Sequence, residues 1–224
     1  MPLLVIGNKN YSSWSLRPWL LLRQFDIAFE ERKLNLDTPE FFAEIGKWSP
    51  TARVPVLHDD GLPGGNLVVW DTLAICEYIN ERWLAGRGWP TDMRARAQAR
   101  SAVAEMHSGF GALRSQLPMN VRRKPNGYRG NAAVSADVAR IEQLWQMLRA
   151  NHGAGGEFLC GDFGIVDAMF APVVMRFTGY GVEVGDNAAR YMEALNALPG
   201  MREWRAASEA EPEHLAPTDN IGRQ

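Results

Sequence analysis

Two cysteines and four histidines are all that 224 residues offer for metal or thiol chemistry. Cys76 and Cys160 lie far apart in apolar surroundings, and His58, His107, His152 and His214 are scattered without ligand spacing. That pattern argues against a disulfide framework and against a metal site. Both cysteines are expected as buried free thiols of a cytoplasmic protein. No apolar run approaches the ~18 residues of a spanning helix, and Met1-Pro2-Leu3 runs straight into the first apolar segment, so neither a membrane span nor a signal peptide is expected. An excess of one charge is also missing. The 24 Lys and Arg against 26 Asp and Glu leave a net charge of -2, which gives no reason to expect nucleic acid or an anionic membrane as a partner. Internal repeats and low-complexity tracts are absent as well.

What is present is ordinary globular composition, 46% hydrophobic and 22% charged, in a chain long enough to bury a sizeable core. The first part alternates in type. Leu3-Leu4-Val5-Ile6 reads as a short buried strand, residues 15–25 as a helix and residues 29–36 as a second strand, a succession that gives a right-handed βαβ unit. Residues 39–47 read as a short helix that stops before Ser49-Pro50. Val54-Pro55-Val56-Leu57 and Leu67-Val68-Val69-Trp70 read as two strands close enough to pair antiparallel. Asp71 then caps a helix with Ile75, Ile79 and Trp83 on one face. The run Leu84-Ala85-Gly86-Arg87-Gly88-Trp89-Pro90 breaks the pattern, and no convincing strand follows it. Helices are expected over 92–117, 135–151 and 165–177, with two more on either side of Pro199. The expected architecture is an α/β domain over residues 1–83, a linker over 84–91 and an all-helical domain over 92–224.

The stretch with most chemical content is Asn10-Tyr11-Ser12-Ser13-Trp14-Ser15-Leu16-Arg17-Pro18, where three serines sit as a strand hands over to a helix. On the residues alone, Ser12 reads either as a turn or cap serine or as a hydrogen-bond donor to a bound group. Ser15 reads as the helix cap, which would place Pro18 in the first turn, where a missing N–H does no harm.

Four local patterns, in this order, resemble the cytosolic glutathione transferases, a family with a thioredoxin-like N-terminal domain (βαβ-α-ββα) and a helical C-terminal domain. Ser12-Ser13-Trp14-Ser15-Leu16-Arg17 is similar to the serine loop of the zeta and theta classes, nearest to the zeta pattern Ser-Ser-Cys-Ser-Trp-Arg. Ser49-Pro50-Thr51-Ala52-Arg53-Val54-Pro55-Val56-Leu57 resembles Asn-Pro-x-x-x-Val-Pro-x-Leu, in which the second proline is cis. Asp71-Thr72-Leu73-Ala74-Ile75-Cys76-Glu77-Tyr78-Ile79 resembles Glu/Asp-Ser-x-Ala-Ile-x-x-Tyr-Leu. Gly164-Ile165-Val166-Asp167 stands where the family keeps a Ser/Thr-x-x-Asp capping box. Two departures are plain: Trp14 replaces the zeta cysteine, and Gly164 replaces the capping hydroxyl.

The resemblance implies glutathione as cosubstrate, a small electrophilic substrate, a role in detoxification, a homodimer and no metal. A glutathione site must hold an ionised thiol, because the thiolate is the nucleophile and a free thiol titrates near 8.5. Ser12 is the implied catalytic donor to sulfur, with Ser13 as the alternate, and the start of the following helix adds its dipole. Val54 is implied to pair its backbone with the peptide, beside the structural cis-proline Pro55. Arg53 is implied to reach a carboxylate, Asp71 to bind the γ-glutamyl ammonium, and Thr72 to take the γ-glutamyl carboxylate. Trp14, Met106, His107 and Phe110 are candidates for the second-substrate wall. The expected reaction is transfer of glutathione to an electrophile. Two alternatives stand beside it: a maleylacetoacetate-type cis–trans isomerase, and a non-catalytic binding module on the same fold.

Overall fold

The computed structural model describes residues 1–222, so the last two residues of the expected helical domain, Arg223 and Gln224, lie outside the described residues. The chain builds β1 (Leu3–Ile6), α1 (Ser13–Gln24), β2 (Glu30–Lys33), α2 (Pro39–Glu44) with a 3-10 turn at Ile45–Lys47, β3 (Val56–Asp59), β4 (Leu67–Trp70) and α3 (Thr72–Arg82). Helices follow: α4 (Met93–Ser108), α5 (Gly111–Gln116), α6 (Ala132–His152), α7 (Ile165–Tyr180), α8 (Asp186–Ala197), α9 (Pro199–Ala210) and the short α10 (Ala216–Asp219).

The four strands form one sheet in the order β2-β1-β3-β4. β1 and β2 run parallel, with Leu3 opposite Glu30, while β1–β3 and β3–β4 are antiparallel, with Val5 opposite Val56 and Val56 opposite Trp70. Period-two alternation splits the apolar residues between the faces. Leu4, Ile6 and Leu57 point into the main core against α1, α3 and the helical part, whereas Val5 and Val56 meet Phe41 and Ile45 on the other side. β2 is exposed along its whole length, and its Glu-Glu-Arg-Lys sequence keeps that sheet edge charged. α7 is the centre of the helical part, buried at nearly every position.

Three expectations need correction. α1 begins at Ser13, and its N-cap is Ser12, whose side chain accepts the Ser15 N–H. Pro18 therefore lies inside the helix. A proline there removes an intrahelical bond to the carbonyl four residues earlier, which frees Trp14 C=O. The Thr72 hydroxyl donates to that oxygen at 2.7 Å. The helix expected over 92–117 is two helices, because Gly109 leaves helical geometry and Phe110 adopts a left-handed conformation with φ 59°. A Cβ at Gly109 would lie 2.8 Å from the Glu105 carbonyl oxygen, so the turn demands glycine.

Gly164 has a similar local reason. A Cβ there would lie 2.8 Å from Gly88 C=O, which accepts the Ile165 N–H at 2.9 Å. Close approach of the 84–91 segment thus excludes the capping hydroxyl. Asp167 still closes the helix start, accepting the N–H groups of Gly164 at 2.9 Å and Leu159 at 3.1 Å.

Candidate active site at the start of the first helix

A cleft of about 460 Å³ opens where the starts of α1 and α3 meet the end of α4. It is lined by Trp14, Thr51, Arg53, Val54, Pro55, Trp70, Asp71, Thr72 and His107. Arg53, Val54, Asp71 and Thr72 are thereby brought together from two distant stretches. Ser12 and Ser13 are not among the lining residues. Each is only 6% exposed, and they reach the cleft's neighbourhood through Trp14, the next residue in α1.

The serines form a compact hydrogen-bonded group. Gly7 N–H donates to Ser15 Oγ at 3.2 Å, and Ser15 Oγ lies 2.7 Å from Ser12 Oγ. Either hydroxyl can donate across that pair. When Ser15 does, Ser12 keeps its own O–H for an outside acceptor at the positive end of α1. Ser13 Oγ accepts from Arg176 Nη2 at 3.2 Å, which also leaves its proton free. Ser15 thus binds strand β1 and Ser12 together; capping the helix falls to Ser12.

The loop carrying these serines is held by residues far away in the chain. Glu211 accepts from the backbone N–H groups of Lys9 at 2.7 Å and Asn10 at 3.0 Å. Buried Asn10 donates to Asn120 Oδ1, and its own Oδ1 accepts the Arg122 N–H. Arg122 and Asp219 both bond the Tyr11 hydroxyl. Arg122 and Arg123 also hold carbonyls of the 211–222 tail, so both cations act in the fold.

At the opposite wall, the Val54–Pro55 peptide bond is cis, and the paired ladder of β3 begins only at Val56, so Val54 lies just before it. Asp71 carries two loads. Its Oδ1 accepts the N–H groups of Leu73 and Ala74, and its Oδ2 lies 3.1 Å from His107 Nε2. Its backbone sits at φ 72°, a conformation an L-residue occupies only when its surroundings impose it, at about 1–3 kcal/mol. Thr72 has given its proton to Trp14 C=O, which ties α3 to α1 and leaves its hydroxyl oxygen as an acceptor. Of the four second-substrate candidates, Trp14 and His107 line the cleft, while Met106 and Phe110 are buried in the core.

His107 is more than a wall, since its ring meets Trp14 edge-on at 5.4 Å as well as Asp71. The guanidiniums of Arg17 and Arg114 stack on the Trp14 ring at 4.4 and 4.7 Å. Arg17 stands one helical turn after Trp14 in α1, whereas His107 on α4 and Arg114 on α5 come from distant segments that no local sequence signal links to Trp14. The two free thiols take no part: burial pushes Cys76 far up and Cys160 up to about 12, so both stay protonated.

A thioredoxin-like sheet with a cleft at the start of its first helix, joined to an all-helical part, defines the architecture of a glutathione transferase. Residues 11–82 match the family model for the glutathione S-transferase N-terminal domain and residues 94–207 the model for its C-terminal domain. The chain belongs to the glutathione S-transferase family and is an enzyme of that class. It is similar to glutathione S-transferase GstB of Escherichia coli K12, at 22% identity over 206 residues covering 89% of this chain and 96% of the relative. It is also similar to a probable maleylacetoacetate isomerase of Caenorhabditis elegans, at 25% identity covering 88% and 90%. Among solved structures, a glutathione transferase homolog from Burkholderia gl BGR1 with bound glutathione superposes with a TM-score of 0.68 at 22% identity, covering 94% of this chain and 98% of that one.

Proposed function

We propose that the cleft binds glutathione and that Ser12 donates a hydrogen bond to its thiolate, which then attacks a small electrophilic carbon. The observation that carries this reading is the hydroxyl group at the start of α1: Gly7 N–H and Ser15 back Ser12 on one side and leave its proton for an anion. Holding the thiol ionised at neutral pH needs about 2 kcal/mol of preference for the anion. One hydroxyl bond plus the helix dipole is of that order.

In this reading the backbone of Val54, just before the first paired residue of β3, takes the cysteinyl part of glutathione as an added strand. Arg53 meets a carboxylate, and Asp71 Oδ2 takes the γ-glutamyl ammonium, sharing it with or displacing His107. Thr72, with the α3 N-terminus, faces the γ-glutamyl carboxylate, to which its hydroxyl proton is no longer available. The thiol proton leaves to bulk water. The sulfur–carbon bond forms as the electron pair departs with the leaving group or moves onto an adjoining activating group.

Titration calorimetry with glutathione, followed by turnover of Ser12→Ala with a generic electrophile, tests the proposal. Binding retained with turnover sharply reduced is expected; unchanged turnover removes Ser12 from the role. The isomerase reading is kept because of Ser12-Ser13-x-Ser15-x-Arg17 and the isomerase-named relative. It is decided by a direct assay with maleylacetone. We further propose a homodimer in the cytoplasm, to be checked by sedimentation; exposed Trp70 and Leu67 on the last strand are consistent with a covered face.

A further inference from the structure

Three arginines from three helices converge on the first turn of α1, Arg17 and Arg114 against the Trp14 ring and Arg176 at Ser13 Oγ. Arg17 is fully buried and Arg176 is 4% exposed. Arg17 Nε donates to Met169 C=O at 2.9 Å and its Nη1 to Ser13 C=O at 3.4 Å, while Nη2 has no partner among the described residues. Arg176 Nη1 donates to Pro172 C=O and Nη2 to Ser13 Oγ, both at 3.2 Å, while Nε has no partner among the described residues. Arg114, on α5, is spent on the carbonyls of Gly109, Met106 and His107. None of the three makes a salt bridge with a carboxylate among the described residues; their acceptors are carbonyls and one hydroxyl.

Such an arrangement is expensive. A buried charge is normally paired, and like charges brought together in low dielectric repel. Burial first, then repulsion from Arg114, lowers Arg176; burial, then Arg114 and Arg176, lowers Arg17. The other ionisable groups facing the cluster are Asp71 and Cys76 on α3, His107 on α4, Asp137 on α6 and Tyr180 on α7. Cys76 is held protonated, Asp71 is engaged with α3 and His107, and Asp137 Oδ2 accepts Leu113 N–H. The cluster therefore has an excess of positive charge against the first turn of α1, and both buried contacts to that turn end on Ser13.

We propose that Arg17, Arg114 and Arg176 form a buried cationic platform that stabilises an anion held at the first turn of α1, acting through Ser13 and Trp14. The proposal rests on the functional reading above, in which that anion is the glutathione thiolate. Arg176 is then a positioning residue. It accepts no proton and touches no substrate; it turns the Ser13 hydroxyl proton outward and supplies charge that the thiol proton no longer has to balance. Trp14 separates two of the guanidiniums from the cleft, so the charge is felt without forming an ion pair that would trap the thiolate.

The test is a pH titration of the ultraviolet absorbance of enzyme-bound glutathione thiolate in the native enzyme, Arg176→Gln, Arg176→Met and Arg176→Lys. Gln keeps a donor for Ser13 and drops only the charge; Lys keeps the charge. The expected result is a bound-thiol pKa raised by about one unit in Gln and Met and held near the native value in Lys. At a pH where the thiol is protonated in every form, glutathione affinity by calorimetry should be unchanged. An unshifted pKa in Gln and Met, with glutathione still bound, overturns the proposal. If the native enzyme itself binds no glutathione, the functional reading falls instead, and the platform is still judged by thermal unfolding. Removing an unpaired buried charge should leave the midpoint of Arg176→Met unchanged or higher, whereas a large drop would make the arginine an architectural part and overturn the inference.

Discussion

Helix α7 buries an aspartate and an arginine, and the protein treats them in opposite ways. Asp167 at its start is completely enclosed, and its two oxygens accept the N–H groups of Leu159 and Gly164. Arg176, further along the same helix, is nearly as enclosed but keeps one N–H without an acceptor and has two other arginines as neighbours. The acid is consumed locally: it closes a helix start and holds the preceding loop against α7. The base reaches across to Ser13 on α1, beside the cleft. A buried charge whose bonds are all made belongs to the architecture. One left short of partners beside a cleft is available to whatever enters it.

Substitutions can break that contrast. Asp167→Ala should have the largest effect, orphaning two buried N–H groups and leaving a void. A loss of about 3 kcal/mol is expected, a fall of roughly 6–12 °C in the thermal midpoint for a chain of this size, with glutathione affinity of the folded protein unaltered. A loss below 1 kcal/mol would erase the distinction between the two ends of α7. On the α1 side the proportions reverse. Ser12→Ala should lower turnover roughly a hundredfold, while the lost cap costs only about 1 kcal/mol in denaturant unfolding.

Proton linkage sharpens the comparison further. Burial raises the Asp167 carboxyl to about 7, above its value in an unfolded chain. Stability from this group is therefore fully present below about pH 4 and is lost as pH rises through about 7. Asp167→Asn removes that slope. The stability of the native protein relative to the Asn variant should fall between pH 4.5 and pH 7.5 by something on the order of 2 kcal/mol, measured by urea unfolding at both values. A constant difference would mean that the backbone donors hold the group ionised throughout. The smallest effect is expected at Arg53, whose exposed side chain meets no carboxylate among the described residues. Arg53→Ala should weaken glutathione binding only about threefold, with turnover at saturation unchanged.

The sheet and its motifs were legible in the sequence because they are local. Leu3-Leu4-Val5-Ile6, the Val54-Pro55 dipeptide that leads into β3 and Asp71-Thr72 each carry their own punctuation. The helix start at Ser12 was not legible, because Ser12 and Ser15 both make acceptable caps and Pro18 suits a start at Ser15. What decides between them is tertiary: Ser15 Oγ is occupied by Gly7, and the Trp14 carbonyl freed by Pro18 is taken by Thr72. The clamp on the serine loop was invisible for the same reason, since Glu211, Asn120 and Asp219 lie a hundred or more residues from it. The arginine cluster is the extreme case. Arg17 stands in the serine stretch, Arg114 in the segment expected as one long helix and Arg176 in the apolar helix over 165–177, and only packing brings the three together.

Whether an anion is favoured at the first turn of α1 is reported directly by the pKa of the thiol of bound glutathione. Followed by thiolate absorbance in the native enzyme, it should lie about two units below the value near 8.5 of a free cysteine thiol. Bound glutathione whose thiol titrates where the free thiol does would contradict the account.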